Sequence, residues 1–219
     1  MELYDQTKQR KTFYSCTVYT ILNMLKFDFC VKIEDDMILR LVAYMESIWK
    51  LLPRWAYFDI IYPAVVGFIN LRYWIKLKVE KSFISKGLDT THSWSLWIKG
   101  FSSTWLKRWT DDWIMSREDI DWILANVTNG SWHNHMIKRR KSRDIWIIVD
   151  SWGWVAYTIK LDDLKYAMDR GLYYDTARRI VPADNFTKEL KKECLFQYKR
   201  LNRVLTYQEF KTIKKNLRG

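Results

Sequence analysis

The stretch TVYTILNMLKF carries apolar residues at Val18, Ile21, Leu22 and Leu25, the i, i+3, i+4, i+7 spacing of one helix face. Cys16 stands immediately before this face, at a helix N-terminus. A second stripe of Ile38, Leu41, Val42, Met45, Ile48, Trp49 and Leu52 predicts a helix over residues 34–52, stopped by Pro53. Residues 56–86 are rich in apolar positions and read as mostly helical; residues 87–110 are polar, dotted with Trp, and read as loop. SRED at 116–119 has the form of a capping box opening a helix that carries Ile120, Ile123, Leu124 and Val127 and stops at NVTNG.

The period then changes. SWHNHMI (131–137) and DIWIIV (144–149) read as two strands of a hairpin around the basic turn KRRKSR, and VAYTIKL (155–161) as a third strand. Asp162 is placed to cap a short helix ending at Gly171, and YYDTARRIV (173–181) reads as a further strand. Thr206 to Glu209 forms another capping box, opening a basic terminal helix. Helices come first and strands later, which predicts an α+β fold.

Composition narrows the function classes. The 219 residues are 48% hydrophobic and 28% charged, a globular balance. The formal charge is +12, and Lys188–Gly219 alone contributes ten Lys or Arg against three Glu. That surplus suits an acidic partner or nucleic acid, although a solvated helix face is the simpler account. The longest apolar-rich run, AYFDIIYPAVVGFI (56–69), is too short to span a bilayer and holds Asp59 and Pro63. MELYDQTKQRKTFY has no apolar core of a signal peptide, so a cytoplasmic setting or a viral assembly is expected. The three cysteines, Cys16, Cys30 and Cys194, match neither a zinc spacing nor a dense disulfide framework, and no cofactor motif appears.

One constellation carries chemistry. A thiol attacks as thiolate, which a helix N-terminus and a neighbouring imidazolium favour. Cys16 has the first by position. His135 lies on one strand of the hairpin, and Asp150 ends the facing apolar strand IWIIV, 15 residues later. Their side chains can meet across the hairpin, and a carboxylate there would fix the imidazole's orientation. His133 shares the strand face of His135, being two residues away, and is the alternative base. His133, His135 and Asp150 also form a conceivable metal-ligand set. Cys30 and Cys194 read as structural, and His92 as a surface residue.

YSCTVYTILNML, NHMI and IIVDSWGW together resemble the papain-like cysteine peptidases. The resemblance runs from about residue 3 to about 181 and rests on these three short motifs. It implies a helical lobe (about 10–110) packed on an antiparallel β lobe (about 111–185), one papain-like domain over 1–185, and a basic helical extension at 186–219. It implies Cys16 as nucleophile, His135 as general acid/base, Asp150 as the orienting residue and Trp152 as an indole shielding their hydrogen bond. Gln6, with Gln9 as second choice, would donate to the oxyanion. Asp150 stands where the family has Asn. No two glycines are adjacent, so the family's Gly-Gly substrate segment is missing and its substrate preference does not carry over. The expected function is a cysteine hydrolase cleaving peptide or isopeptide bonds of a peptide or protein substrate, with acyl transfer using the same parts. The alternatives are a non-catalytic structural or assembly protein on that scaffold, of viral or phage type, and a nucleic-acid-binding protein acting through the basic tail.

Overall fold

The computed structural model of the protein describes residues 15–49, 58–99, 113–126, 132–139, 144–150 and 156–219. Among them are seven α-helices and one seven-stranded, mostly antiparallel sheet, an α+β fold. In chain order the elements are α1 (Ser15–Phe29), α2 (Asp35–Trp49), α3 (Phe58–Tyr73), β1 (Leu77–Phe83), β2 (Trp94–Lys99), β3 (Ile114–Met115), α4 (Arg117–Asn126), β4 (Trp132–Arg139), β5 (Ile145–Asp150), β6 (Ala156–Lys160), α5 (Leu161–Asp169), β7 (Thr176–Pro182), α6 (Asn185–Leu201) and α7 (Tyr207–Asn216). The sheet order is β1-β7-β2-β4-β5-β6-β3, with β3 parallel to β6.

The chain divides into two compact units. One combines Ile21–Glu80 with Ile180–Gly219; the other takes the start of α1, up to Thr20, together with Lys81–Arg179. The second unit is built on the antiparallel run β2-β4-β5-β6. One sheet face presents Leu96 and Ile98 from β2, Ile137 from β4, Trp146 and Ile148 from β5, and Tyr157 and Ile159 from β6. All seven are buried with Ile120 and Ile123 of α4 and Leu164 and Ala167 of α5. The period-2 spacing of the strands meets the 3.6-residue stripes of the two helices there. Ser116 caps α4 in the expected reciprocal way: its Oγ accepts from Asp119 N–H, and Asp119 Oδ2 accepts from Ser116 N–H.

In the first unit the basic C-terminal residues are not an appendage. Leu205 N–H donates to Cys30 O, Lys32 N–H donates to Leu205 O, and Lys76 N–H donates to Thr187 Oγ1. Tyr73 of α3 meets Tyr207 and Phe210 of α7 edge-on, at centroid distances of 5.1 and 5.8 Å. Thus α6 and α7 pack with the end of α1 and with α3, where the sequence reading sets 186–219 apart. Separate amphipathic faces far apart in the chain bury each other, and local pattern says nothing of such pairing. Asp184 caps α6 at Thr187 N–H, and the Thr206–Glu209 capping box opens α7 as expected.

Three local expectations differ. The helix in 56–86 ends at Tyr73, because Trp74 adopts a left-handed backbone (φ +52°) and Asn70 clasps both the N–H and the C=O of Leu77, opening β1. The expected loop at 87–110 contains β2, a strand buried on both faces, so its WSLWIK lacks the alternation that marks a half-exposed strand. Asp162 lies in the first turn of α5; the helix starts one residue earlier with Lys160 at the N-cap, and Gly171 (φ +75°) follows its end.

Candidate active site

Cys16 is the second residue of α1, in the first helical turn, where backbone N–H groups lack intrahelical acceptors and the helix dipole favours negative charge. Thr20 lies one turn further on, on the same face. Both side chains meet the backbone of one residue of β4: the Asn134 N–H donates to Cys16 sulfur, and Thr20 Oγ1 donates to Asn134 O at 2.9 Å. The described β4–β5 register includes His135↔Asp150, and at Asn134 the backbone of β4 meets the start of α1. Asn134 is fully buried, and its Oδ1 accepts from Ser95 Oγ of β2 at 2.6 Å.

His133 and His135 flank Asn134 and share the opposite face of β4. His133 Nε2 donates to Asp150 Oδ1 at 2.6 Å. With Nε2 committed to the carboxylate, Nδ1 is the nitrogen that serves the Cys16 thiol, with which His133 also hydrogen-bonds. His133 therefore joins Cys16 to Asp150. His135 is placed differently. Its Nε2 lies 3.3 Å from Asp150 Oδ2, and its Nδ1 lies 3.3 Å from Tyr157 Oη, which in turn is 2.7 Å from Tyr173 Oη. The sequence reading puts His135 beside Cys16; in the structure the imidazole hydrogen-bonded to the thiol is that of His133. Either histidine satisfies the sequence pattern, and the position of Cys16 at the start of α1 selects His133.

The electrostatics follow from burial and charge. Burial alone would push the Cys16 thiol up; the hydrogen bond and charge of His133, the Asn134 N–H and the Thr17 hydroxyl overcome it and hold the thiol below its ordinary range. Burial would likewise push the His133 imidazolium down, yet the Asp150 charge and hydrogen bond, with Cys16 adding to them, raise it to about 10. Asp150 is opposed by burial but held well below the usual carboxylate range by His133 and His135. His135 goes the other way: burial, reinforced by the charge of His133, keeps it low and neutral. Burial raises Tyr157 and Tyr173 above the ordinary phenol range, so both hydroxyls stay protonated. Two histidines two residues apart are thus driven to opposite protonation states.

Other candidates resolve as follows. Cys30 and Cys194 are buried thiols, and burial beside Cys30 and Glu193 pushes Cys194 up to about 12, away from the thiolate form. His92 is engaged with Asp89 in a turn. Gln6, Gln9 and Trp152 lie outside the described residues. His133, His135 and Asp150 offer ligand atoms within 4.8 Å of one another, so the geometry also brings the metal-ligand set together. Among the described residues no helix is long and apolar enough to cross a membrane. Sequence reasoning passed over Thr20, Asn134, Tyr157 and Tyr173. Thr20 had one available signal, its i+4 spacing from Cys16. Compared with protein-family models, curated proteins and solved structures, the chain shows no significant match to any of them.

Proposed function

We propose that the protein is a papain-like cysteine hydrolase in which Cys16, His133 and Asp150 act together. The observation that carries this reading is the single imidazole of His133, hydrogen-bonded to the thiol on one side and to the carboxylate on the other. Its support in the fold is the helix-borne cysteine beside an antiparallel sheet that supplies both histidine and carboxylate.

In the proposed reaction the Cys16 thiolate attacks the carbonyl carbon of a peptide or isopeptide bond. The oxyanion is met by the Cys16 backbone N–H in the first turn of α1, with Gln6 as the expected second donor. As the C–N bond breaks, the departing amine takes a proton from the His133 imidazolium, leaving a thioester. His133 then removes a proton from water, the resulting hydroxide adds to the thioester, and C–S cleavage returns the carboxylate product and the thiolate. Asp150 keeps the imidazole in the orientation that both proton transfers need. Replacing water by an amine gives acyl transfer with the same parts.

A second arrangement fits some of these side chains. His133, His135 and Asp150 would hold a zinc ion through two nitrogens and one oxygen. Tetrahedral ligands with bonds near 2.0 Å lie about 3.3 Å apart. The 2.6 Å between His133 Nε2 and Asp150 Oδ1 is a hydrogen-bond length instead, which favours the hydrolase.

The test is labelling with an epoxysuccinyl probe or iodoacetamide from pH 5 to 9, with the modified residue mapped by mass spectrometry. Labelling of Cys16 at low pH, lost in His133→Ala and retained in the presence of a chelator, is expected. Equally slow modification of all three cysteines overturns the reading, and Cys16 labelling blocked by equimolar zinc but restored by chelator favours the metal.

A further inference from the structure

The basic surplus of the C-terminal residues has a shape. Lys211, Lys214, Lys215 and Arg218 follow one another at i, i+3, i+4 and i+7, a single face of α7 and the turn after it. Arg72, at the end of α3, joins them around an open cleft, whose remaining lining is the indole of Trp74 and the ring of Tyr207. No acidic side chain lines the cleft. The acid on α7, Glu209, is committed elsewhere: it receives two hydrogen bonds from Arg203 and closes the capping box with Thr206. Among the described residues none of the five cations forms an ion pair with a carboxylate.

Two of the five have a structural task. Lys214 Nζ donates to Tyr73 O and Arg218 to Trp74 O, so they satisfy carbonyls at the C-terminal end of α3. Burial, together with the like charges of Arg218 and Lys211, holds the Lys214 ammonium below its usual range. Lys211 lies over the Tyr207 ring at 4.5 Å. Capping a helix accounts for Lys214 and Arg218 and the Tyr207 ring engages Lys211, which leaves Arg72 and Lys215, among the described residues, with no such task. It also leaves Trp74 unexplained. This residue is 71% exposed on a left-handed backbone that favours glycine or asparagine over a bulky side chain.

We propose that this cleft binds single-stranded nucleic acid, its cations tracking the phosphates and Trp74 stacking on a base. A groove of one charge sign with an aromatic ring exposed among the cations, here Trp74, matches the recurring form of a sequence-tolerant single-strand site. A flat acidic protein surface would use the cations but has no use for an exposed indole within a concave wall. The inference is independent of the cysteine chemistry, since every residue in it belongs to the other compact unit.

Fluorescence anisotropy with the full chain tests it, using labelled 20-nucleotide single-stranded DNA and RNA of mixed sequence, the matching blunt duplex, and vesicles containing phosphatidylserine. Single strands are expected to bind more tightly than duplex, with affinity falling as salt rises. Lys211→Gln/Lys215→Gln is expected to make the slope of log K against log salt shallower by roughly 1.4, at about 0.7 per lost phosphate contact. Trp74→Ala is expected to weaken binding about tenfold, with Trp74→Phe between it and the wild type. Circular dichroism of these surface variants checks that each is folded. No binding of either strand at low salt overturns the proposal. So does binding that these variants leave unchanged, or binding to the vesicles alone. DNA bound in preference to RNA, or the reverse, supports it and names the strand.

Discussion

His133 Nε2 lies 2.6 Å from Asp150 Oδ1, although the β4–β5 register sets Asp150 directly opposite His135, two residues along. The carboxylate thus reaches diagonally across the hairpin to one histidine while its other oxygen stays 3.3 Å from the second. One carboxylate serves two imidazoles of opposite protonation state, and the charged one is the one beside the thiol.

This predicts a sharp asymmetry between the two histidines. His133→Ala should lower kcat by about 10³-fold, the range of a lost general acid/base. His135→Asn, which keeps a neutral polar side chain beside Asp150, should retain activity within about tenfold. Steady-state kinetics on a fluorogenic peptide that the wild type cleaves would measure both. Loss of equal size in the two variants would sink the assignment.

The pH dependence of Cys16 alkylation should have its midpoint below the free-thiol value of about 8.5. His133 is the largest influence drawing it down, so His133→Ala should move the midpoint upward. Cys194, pushed up to about 12, should remain unlabelled across the same range. Rates of iodoacetamide incorporation at each cysteine, read by mass spectrometry, decide this.

The Asp150–His133 pair should leave its mark on stability. Asp150 is depressed on folding, so its contribution is present above about pH 4 and is lost as pH falls from there. His133 is raised to about 10, so its contribution is complete below about pH 6.5 and is lost as pH rises through its folded value. The stability difference between wild type and Asp150→Asn should therefore be greatest between about pH 4 and 6.5. It should be roughly 3 kcal/mol there, as for one partner removed from a buried pair. Urea unfolding at a series of pH values would reveal the plateau, and a pH-independent difference would contradict it.

The Tyr157–Tyr173 hydroxyl pair should show non-additivity. Tyr157→Phe leaves the buried Tyr173 hydroxyl without its 2.7 Å partner and should cost about 1–2 kcal/mol. Removing both hydroxyls should cost less than the sum of the single changes, because the second then strands nothing. A double-mutant cycle by urea unfolding gives the coupling; strict additivity would mean the pair is energetically idle.

Thr20→Val removes the hydrogen bond from α1 to Asn134 O while keeping volume, and should destabilise by about 1–2 kcal/mol. Because the N–H of the same residue, Asn134, donates to Cys16, the variant should also raise the midpoint of Cys16 alkylation. Destabilisation without that shift would mean that Thr20 anchors the helix without positioning the thiol.

Much of this was legible in the chain. The stripe Val18, Ile21, Leu22, Leu25 announces α1, and a helical stripe packs in the same way whatever covers it. The capping boxes at Ser116 and Thr206 are local exchanges of hydrogen bonds among four residues, so sequence suffices for them. The apolar run ending in Asp150 marks a strand that delivers a carboxylate. Strand β2 was illegible because burial on both faces erases alternation, and the boundary after Tyr73 was illegible because a side chain, Asn70, imitates strand pairing.

The sequence by itself determined the α+β order, the helix starts, the hairpin and the set of groups from which a thiol site is made: Cys16, two histidines and Asp150. Tertiary structure alone decided which histidine serves the thiol. A spacing of two puts His133 and His135 on one strand face, so periodicity cannot separate them. The separation comes from the start of α1, whose Thr20 bonds Asn134 O and whose Cys16 thiol hydrogen-bonds His133. It also decided that α6 and α7 pack with α3 and the end of α1, since burying two distant amphipathic faces depends on which faces come together in space, and no local pattern records that.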